Sequence, residues 1–202
     1  IACEATRRKD EIYKHFPHGF PNAIMVSDRY AAHLSTPSKG YQICWAHLMR
    51  LANYLIEAEN NEWIHKLIKL YRKAKKLEKQ KAEWKREDKA VKNIEEKLNH
   101  LLLEELDEKA FPETTILYNS LNINRSAILT FLYHEDVPSH NNASEQAIRN
   151  AKVKMKISGQ FKSGQNYYAI MRSIIDTLTK NDKPILDSLF KIEKSKDISF
   201  GF

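Results

Sequence analysis

Cysteine, glycine and long apolar runs are scarce in this chain of 202 residues, and each scarcity excludes a class of protein. Two cysteines, Cys3 and Cys44, are too few for a disulfide scaffold and fit a reducing cytosol. No apolar run approaches the roughly 18 residues that a membrane span needs, and the N-terminus lacks the apolar core of a signal peptide. The chain also has no P-loop, no dinucleotide-binding glycine fingerprint and no nucleophile elbow, so those enzyme classes have no support.

The charge of the chain is unbalanced, with 33 Lys and Arg against 26 Asp and Glu and a formal net charge of +7. A basic balance is compatible with a nucleic-acid partner. Many basic proteins never touch DNA, so the charge alone favours that partner only slightly. The 42% hydrophobic content is ordinary for a globular protein, and the length allows one domain, or one domain with a large insertion.

The front of the chain has an α/β pattern. The stretch "EATRRKDEIYKHF" predicts a short helix, with Thr6 in position to cap it. The apolar run 23–26 is short and bounded by polar residues, which is typical of a buried strand, and Asp28 follows it directly. A second strand is predicted in "GYQICWAH", and it runs straight into a helix from about Trp45 to Ala58.

A long stretch without helix-breaking glycine follows, since no glycine lies between Gly40 and Gly159. Residues 62–106 are predicted to form one long helix or a helical hairpin with a coiled-coil seam. The apolar residues of this seam are Leu67, Leu70, Ala74, Leu77, Trp84, Val91, Leu98 and Leu102. Residues 72–99 hold eleven basic and six acidic residues. A solvated face on a helical arm is the simpler interpretation, and an arm facing DNA or a protein partner is the alternative.

The last third of the chain is predicted to be helical and more finely divided. Shorter helices are expected in "ETTILYNSL" and "NRSAILTFLYH", followed by a helix in "ASEQAIRNAKVKM". A final amphipathic helix is predicted in "YYAIMRSIIDTLTKN", and the tail "KSKDISFGF" is expected to be loose.

Two carboxylates are candidates for chemistry. Asp28 lies where α/β sheets place ligands, although it is also a plain turn residue. Glu145, Arg149 and Lys152 fall at i, i+4 and i+7 on one helical face. Glu145 and Arg149 are an ordinary salt-bridge pair, but the stretch from Arg149 to Lys162 contains five basic residues and no acid. An acid that holds a hard cation beside bases that neutralise phosphates is the arrangement that phosphodiester chemistry needs.

Two further patterns are weaker. Asn141 and Asn142 are expected either to cap the following helix or to bond to phosphates or base edges. Cys44 and His47 form C-x-x-H, which is half a zinc site, and no second Cys/His pair has matching spacing. A packed or hydrogen-bonded His47 is therefore the favoured interpretation, with Trp45 in the core.

Four segments follow one another along the chain: "VSDRYAAH", "YQICWAHLMR", "VPSHNNASEQAIRNAKVKMKISGQFKSG" and "RSIIDTLTKN". Together they resemble the catalytic region of the insertion-sequence-sixty-six transposases, and the third is similar to the family signature N-N-x-x-E-x-A-I-R. The resemblance covers roughly residues 1–190. It implies a helix-rich α/β chain with a partial RNase H-like fold, a large helical insertion and a D-D-E triad that binds two Mg²⁺ or Mn²⁺ ions.

The resemblance also assigns roles. Asp28 would be the second Asp and Glu145 the terminal Glu, both binding metal and catalysing DNA cleavage and strand transfer. The expected DNA-binding residues are Asn141, Asn142, Arg149, Lys152, Lys154, Lys156 and Lys162. Trp45, His47 and Arg50 would belong to a C-W-A-H-L-x-R motif whose role the residues do not reveal.

The implied organisation has four parts. Residues 1–58 and 136–192 would form the two parts of the catalytic domain, residues 59–135 the insertion, and residues 193–202 the tail. The first Asp of the triad is not assigned, because Asp10 lies on the polar face of a helix. The chain begins with Ile1, so we expect an N-terminally truncated catalytic region. Because the first Asp would be missing, we expect this region to be catalytically incompetent or severely impaired.

The expected partner is DNA, in the bacterial cytoplasm and associated with the nucleoid, with no membrane. A homo-oligomer is also expected, because a truncated sheet exposes strand edges. Two alternatives remain open. One is a non-catalytic DNA-binding or protein-interaction module built on the basic arm, and the other is a plain helical scaffold.

Overall fold

The structure is a computed structural model, and it describes residues 9–78, 89–157 and 165–194. The described part is rich in helix and contains a small two-stranded parallel sheet. Its elements are α1 (Lys9–His15), β1 (Phe20–Ser27), α2 (Ala31–Leu34), β2 (Ser38–Ile43), α3 (Trp45–Ala58), α4 (Glu62–Glu78), α5 (Lys89–Leu101), α6 (Pro112–Ile123), α7 (Asn142–Ile157), α8 (Gln165–Lys180) and α9 (Ile185–Lys194). The described residues up to Asn141 form one compact unit, and those from Asn142 onward form a second.

The sheet pairs β1 with β2 in parallel, with Met25 opposite Tyr41 and Ser27 opposite Ile43. Gly19 enters β1 with a φ of 63°, and a Cβ there would overlap the carbonyl oxygen of Pro37. Phe20 N donates to that same oxygen at 2.7 Å, so the tight approach between the two strand starts requires glycine. The predicted first strand, the acid at its end and the predicted helix from Trp45 to Ala58 are confirmed. The RNase H-like topology stays a prediction.

The core of the first unit is centred on Trp45, whose side chain is 0% exposed. Its ring stacks on Tyr71 of α4, with the centroids 4.7 Å apart and the planes 16° from parallel. Its Nε1 donates to the carbonyl oxygen of Ile128 at 2.8 Å. An indole that buries its ring and also bonds its N–H ties α3, α4 and the 125–132 segment into one core.

Helices α4 and α5 pack against each other, so the hairpin alternative for residues 62–106 is confirmed over the described part. Of the predicted seam, six residues are buried and Leu77 is packed against them, while Trp84 lies outside the described residues. The buried six are Leu67, Leu70, Ala74, Val91, Leu98 and Leu102. The same core cluster includes Trp45 on α3, so the base of this hairpin belongs to the core of the unit.

The side chain of a buried glutamine, and not another backbone group, forms hydrogen bonds with the backbone of the segment 125–132. Gln42 on β2 is 0% exposed, and its Nε2 donates to the carbonyl oxygen of Ile128 at 3.1 Å. Its Oε1 accepts from Phe131 N at 2.7 Å. The expected helix in "NRSAILTFLYH" is therefore broken into two 3-10 turns, Arg125–Ala127 and Thr130–Leu132. The reason is that these backbone groups bond to side chains of β2 and α3 instead of to a helical ladder.

The second unit contains α7, α8 and α9, and the predicted helices α7 and α8 are confirmed. Helix α9 was not predicted from the sequence. The proposed cap Thr6 and the tail after Lys194 lie outside the described residues, and the predicted domain boundaries stay a prediction. None of the helices in the described ranges combines the length and the apolar content that a membrane crossing requires.

Candidate active site

Asp28 lies at the C-terminal end of β1, where the sheet closes. Cys44 N donates to the carbonyl oxygen of Ser27 at 2.7 Å, so the two strands are still paired directly before Asp28. The Asp28 side chain is 44% exposed. Its Oδ1 lies 2.9 Å from His33 Nδ1 and accepts from Tyr30 N at 3.3 Å. The other oxygen, Oδ2, has no hydrogen-bond partner among the described residues.

His33, on the short helix α2, is the partner that the sequence interpretation missed. A histidine five residues after an acid is a weak signal, because the contact depends on the turn between β1 and α2. Arg29 is the other charged neighbour, and burial lowers its pKa while the Asp28 carboxylate acts to raise it. A guanidinium stays protonated under such conditions, so Asp28 has a permanent cation beside it.

The donor chemistry of Asp28 fits a hard divalent ion. Mg²⁺ and Mn²⁺ prefer carboxylate oxygens and keep several waters, which suits one open oxygen on a partly exposed group. A hydrogen bond to the opposite oxygen fixes the carboxylate, as partners of metal ligands commonly do. Within the described ranges, however, no group of three or more His, Cys, Asp or Glu residues is arranged to hold a metal ion.

The structure gives the surroundings of Cys44, Trp45 and Arg50 in the C-W-A-H-L-x-R motif. Cys44 is buried and Trp45 forms the core, as predicted, while Arg50 is exposed on α3 and its Nε donates to the carbonyl oxygen of Ala46 at 3.4 Å. Trp45 N donates to the carbonyl oxygen of Ser139 at 2.9 Å. Asn141 N lies 3.5 Å from Cys44 Sγ, across 97 positions of sequence. The start of α3 thus holds the segment that leads into α7.

A charged clamp from α4 holds the same segment. Glu78 accepts from Ser139 N at 2.8 Å through Oε1 and from Ser139 Oγ at 3.0 Å through Oε2. Lys75 donates to Ser139 Oγ at 2.9 Å and also pairs with Glu78. Burial would raise the pKa of Glu78, but the hydrogen bonds from Lys75 and Ser139 outweigh it and hold that pKa below its ordinary value. No local sequence signal identifies this pair, because its partner is 61 positions away.

The asparagines lie at the start of α7 but do not act alike. Asn141 precedes the helix, and its Oδ1 is buried without a hydrogen-bond partner in the described part of the chain. It therefore does not cap the helix through that oxygen. His140 Nδ1 is likewise buried without a hydrogen-bond partner among the described residues. Asn142 is the first residue of α7 and is exposed.

Helix α7 carries the second candidate acid. Glu145 lies in its first turn, and the helix runs to Ile157, so Arg149 and Lys152 follow on the same face. Arg149, Lys154 and Lys156 are exposed. The side chain of Lys152 and all of Lys162 lie outside what the structure describes. Asp28 belongs to the first unit and Glu145 to the second, so their convergence stays a prediction.

Comparison with known proteins decides the family. A family model described as the transposase IS66 family matches residues 3–167. The chain belongs to this family. The match includes both Asp28 and Glu145, and membership supports a role in transposition with DNA as the partner. A search among curated proteins and a search among solved structures each gave no match.

Proposed function

We propose that this IS66-family chain supplies two carboxylates, Asp28 and Glu145, to the D-D-E metal site of an RNase H-like transposase. The transposase would cleave DNA and transfer the cut strand to a target. The supporting observation is the state of Asp28, which ends a parallel strand with one oxygen held by His33 and the other open.

In this proposal the acidic residues bind metal and the basic residues bind phosphates. Asp28 would hold a metal ion while His33 keeps its carboxylate in one orientation, and Glu145 would hold metal from the first turn of α7. When bound, two Mg²⁺ or Mn²⁺ ions would activate the attacking water or DNA 3′-hydroxyl and stabilise the leaving 3′-oxygen. Arg149 and Lys152 would pair with phosphates near the scissile bond.

The remaining predicted DNA-binding residues would act at a greater distance. Lys154, Lys156 and Lys162 would bind the flanking phosphates, and such contacts position DNA without reading its sequence. Asn142 is exposed at the start of α7, where backbone N–H groups and the helix dipole favour an anion. Asn141 would bond to a phosphate through its amide N–H, or to a base edge, whereas its amide oxygen, which is buried without a partner among the described residues, can only accept.

Mn²⁺ binding to the chain tests the proposal without requiring activity. Electron paramagnetic resonance would measure free Mn²⁺ with the unaltered chain, Asp28→Asn, Glu145→Gln and the double variant. We expect each single variant to weaken binding by about 10-fold or more, since removing even an outer partner of a metal typically costs 10–100-fold. If both carboxylates hold one ion, the double variant should be little worse than either single variant.

The matched control is Asp136→Asn, which removes an exposed carboxylate from the first unit and should leave Mn²⁺ binding unchanged. Equal Mn²⁺ binding by the unaltered chain, the two single variants and the double variant would overturn the proposal. Losses that simply add would place the two acids at separate ions and overturn the shared site. Salt-sensitive DNA binding without any Mn²⁺ binding would instead favour the non-catalytic DNA-binding module.

Self-association is a further part of the proposal. Among the described residues, β1 and β2 pair only with each other, so each has an edge without a strand partner. Such edges are templates for pairing with another chain. Light scattering across a range of concentrations should reveal a dimer or larger species, and a monodisperse monomer would contradict this part.

A further inference from the structure

The α4–α5 hairpin carries a groove of about 250 Å³ that is lined mainly by basic side chains. Leu70 and Leu101, both buried, form its floor. Its charged and polar walls are formed by Lys66, Lys69, Lys73, Lys97, His100 and Glu104. The groove lies entirely within the first unit, on elements that carry neither Asp28 nor Glu145.

The acid in the wall of this groove is already neutralised. Glu104 accepts from Lys66 Nζ through both carboxylate oxygens, at 3.1 and 3.0 Å. Lys66 is also 3.6 Å from Glu62, so its charge is shared between two acids. Neither Lys69 nor Lys73 forms an ion pair with any residue in the described ranges, and Lys97 bonds to the neutral side chain of Asn93. Three lysines that line the groove, Lys69, Lys73 and Lys97, therefore carry charges that no acidic side chain in the described ranges pairs with.

The positions of the lysines form two opposed walls. Lys66, Lys69 and Lys73 follow at steps of three and four on α4, which places them along one face over about 10 Å at 1.5 Å per residue. Lys97 approaches from α5 on the other side. One strand of duplex DNA carries a charge about every 3.4 Å along the axis, so a sugar–phosphate ridge in the groove would meet ammonium groups on both sides.

The chemistry of the walls selects the class of partner. Protein interfaces are depleted in lysine and enriched in Tyr, Trp, Phe, Met and Arg anchors, and the walls of this groove contain none of these five residue types. Lysine acts as a point charge that suits phosphates. Reading of base edges depends on side chains that match the donors and acceptors of the bases. His100 is the only side chain in the walls that carries both a donor and an acceptor, so the groove is poorly suited to recognising a sequence.

We infer that this groove binds the phosphate backbone of duplex DNA independently of sequence, as a second contact separate from α7. The inference rests on DNA being the partner in the proposed function, but it does not depend on the metal site. The hairpin would then hold DNA that flanks the reacting bond, and part of the affinity of the protein would come from it.

The test is the salt dependence of DNA binding by the full chain. Fluorescence anisotropy would follow a labelled duplex of about 30 base pairs, with two unrelated sequences, over a range of KCl concentrations. The variant is Lys69→Gln/Lys73→Gln/Lys97→Gln, whose substituted side chains are exposed. Each lost phosphate contact lowers the slope of log K against log salt by about 0.9, so a decrease of up to about 2.7 is expected for both duplexes.

The control is Lys109→Gln/Lys180→Gln/Lys183→Gln, which removes the same charge from exposed positions outside the groove. We expect this control to change the slope by less than about 0.9, which is the value for one phosphate contact. An unchanged slope in the groove variant, or an equal decrease in the control, would overturn the inference. So would displacement of DNA by polyglutamate at equal charge concentration, since this would indicate a site for acidic polypeptides.

The two proposals fail separately. If the groove variant keeps the normal slope while Mn²⁺ binding behaves as expected, the groove assignment alone is wrong. If the slope falls while the Asp28 and Glu145 variants bind Mn²⁺ normally, the metal site alone is wrong.

Discussion

Replacing Trp45 with alanine is expected to lower the free energy of unfolding of the first unit by about 3–5 kcal/mol, the cost typical of removing a large aromatic side chain from a core. The ring is 0% exposed and stacked on Tyr71, and its N–H satisfies the carbonyl of Ile128. The substitution therefore opens a cavity and removes one hydrogen bond from a buried oxygen. Chemical denaturation followed by circular dichroism would measure the loss.

Two further variants separate the causes. Tyr54→Ala removes an aromatic ring from the same helix at a position that is 52% exposed, and we expect a change of about 0.5 kcal/mol. Trp45→Phe keeps most of the ring but not the N–H, so an intermediate loss of about 1–2 kcal/mol is expected. A loss below about 1 kcal/mol for Trp45→Ala would contradict the central place of this residue in the core.

Replacing Glu78 with glutamine is expected to cost about 2–4 kcal/mol at neutral pH, between the loss of a charged hydrogen bond and the breaking of a buried ion pair. The Glu78 side chain is only 12% exposed, and the change leaves Lys75 without its anion. The clamp on Ser139 also loses an acceptor, because the amide N of glutamine cannot accept from Ser139 N or Oγ. Glu62→Gln, on the exposed side of α4, serves as the control and should change little.

The pH dependence of this difference has a defined sign. The folded-state pKa of Glu78 is below its ordinary value of 4.5, so folding favours the ionised form. Its contribution is complete above the unfolded-state pKa and is lost as the pH falls through the folded-state pKa. The difference in unfolding free energy between the unaltered chain and Glu78→Gln should be constant near neutral pH and shrink below about pH 4.5. A difference that grows in acid would contradict the assignment.

The parts of the fold that the sequence predicts well are those set by local rules. The acid after β1, the helix from Trp45 to Ala58 and the seam of the α4–α5 hairpin follow from apolar periodicity and from the scarcity of glycine and proline. Each depends on neighbours within a few turns of chain. The same rules predicted a helix in residues 124–134, and there they failed because Gln42 and Trp45 bond to the backbone of that segment.

The candidate site shows the same division. Asp28 could be identified from its place after a strand, but His33, Lys75 and Glu78 could not, because their roles arise from contacts across turns or across 61 positions. The family signature connects Asp28 with Glu145, which lie in different compact units. That connection is a property of the family and not of any local pattern, so only the Mn²⁺ experiment tests it in this chain.

The buried amide of Gln42 has a consequence for misfolding. Side chains on a strand alternate between faces, so sliding β2 by one residue would turn Gln42 away from the core and bring Tyr41 or Ile43 to its place. Phe131 N would then lose its acceptor, and the Ile128 carbonyl would lose one of its donors. Each buried group left unpaired costs about 1–3 kcal/mol. A two-stranded parallel ribbon that is otherwise easily mispaired thus has one polar side chain that makes the wrong alignment costly.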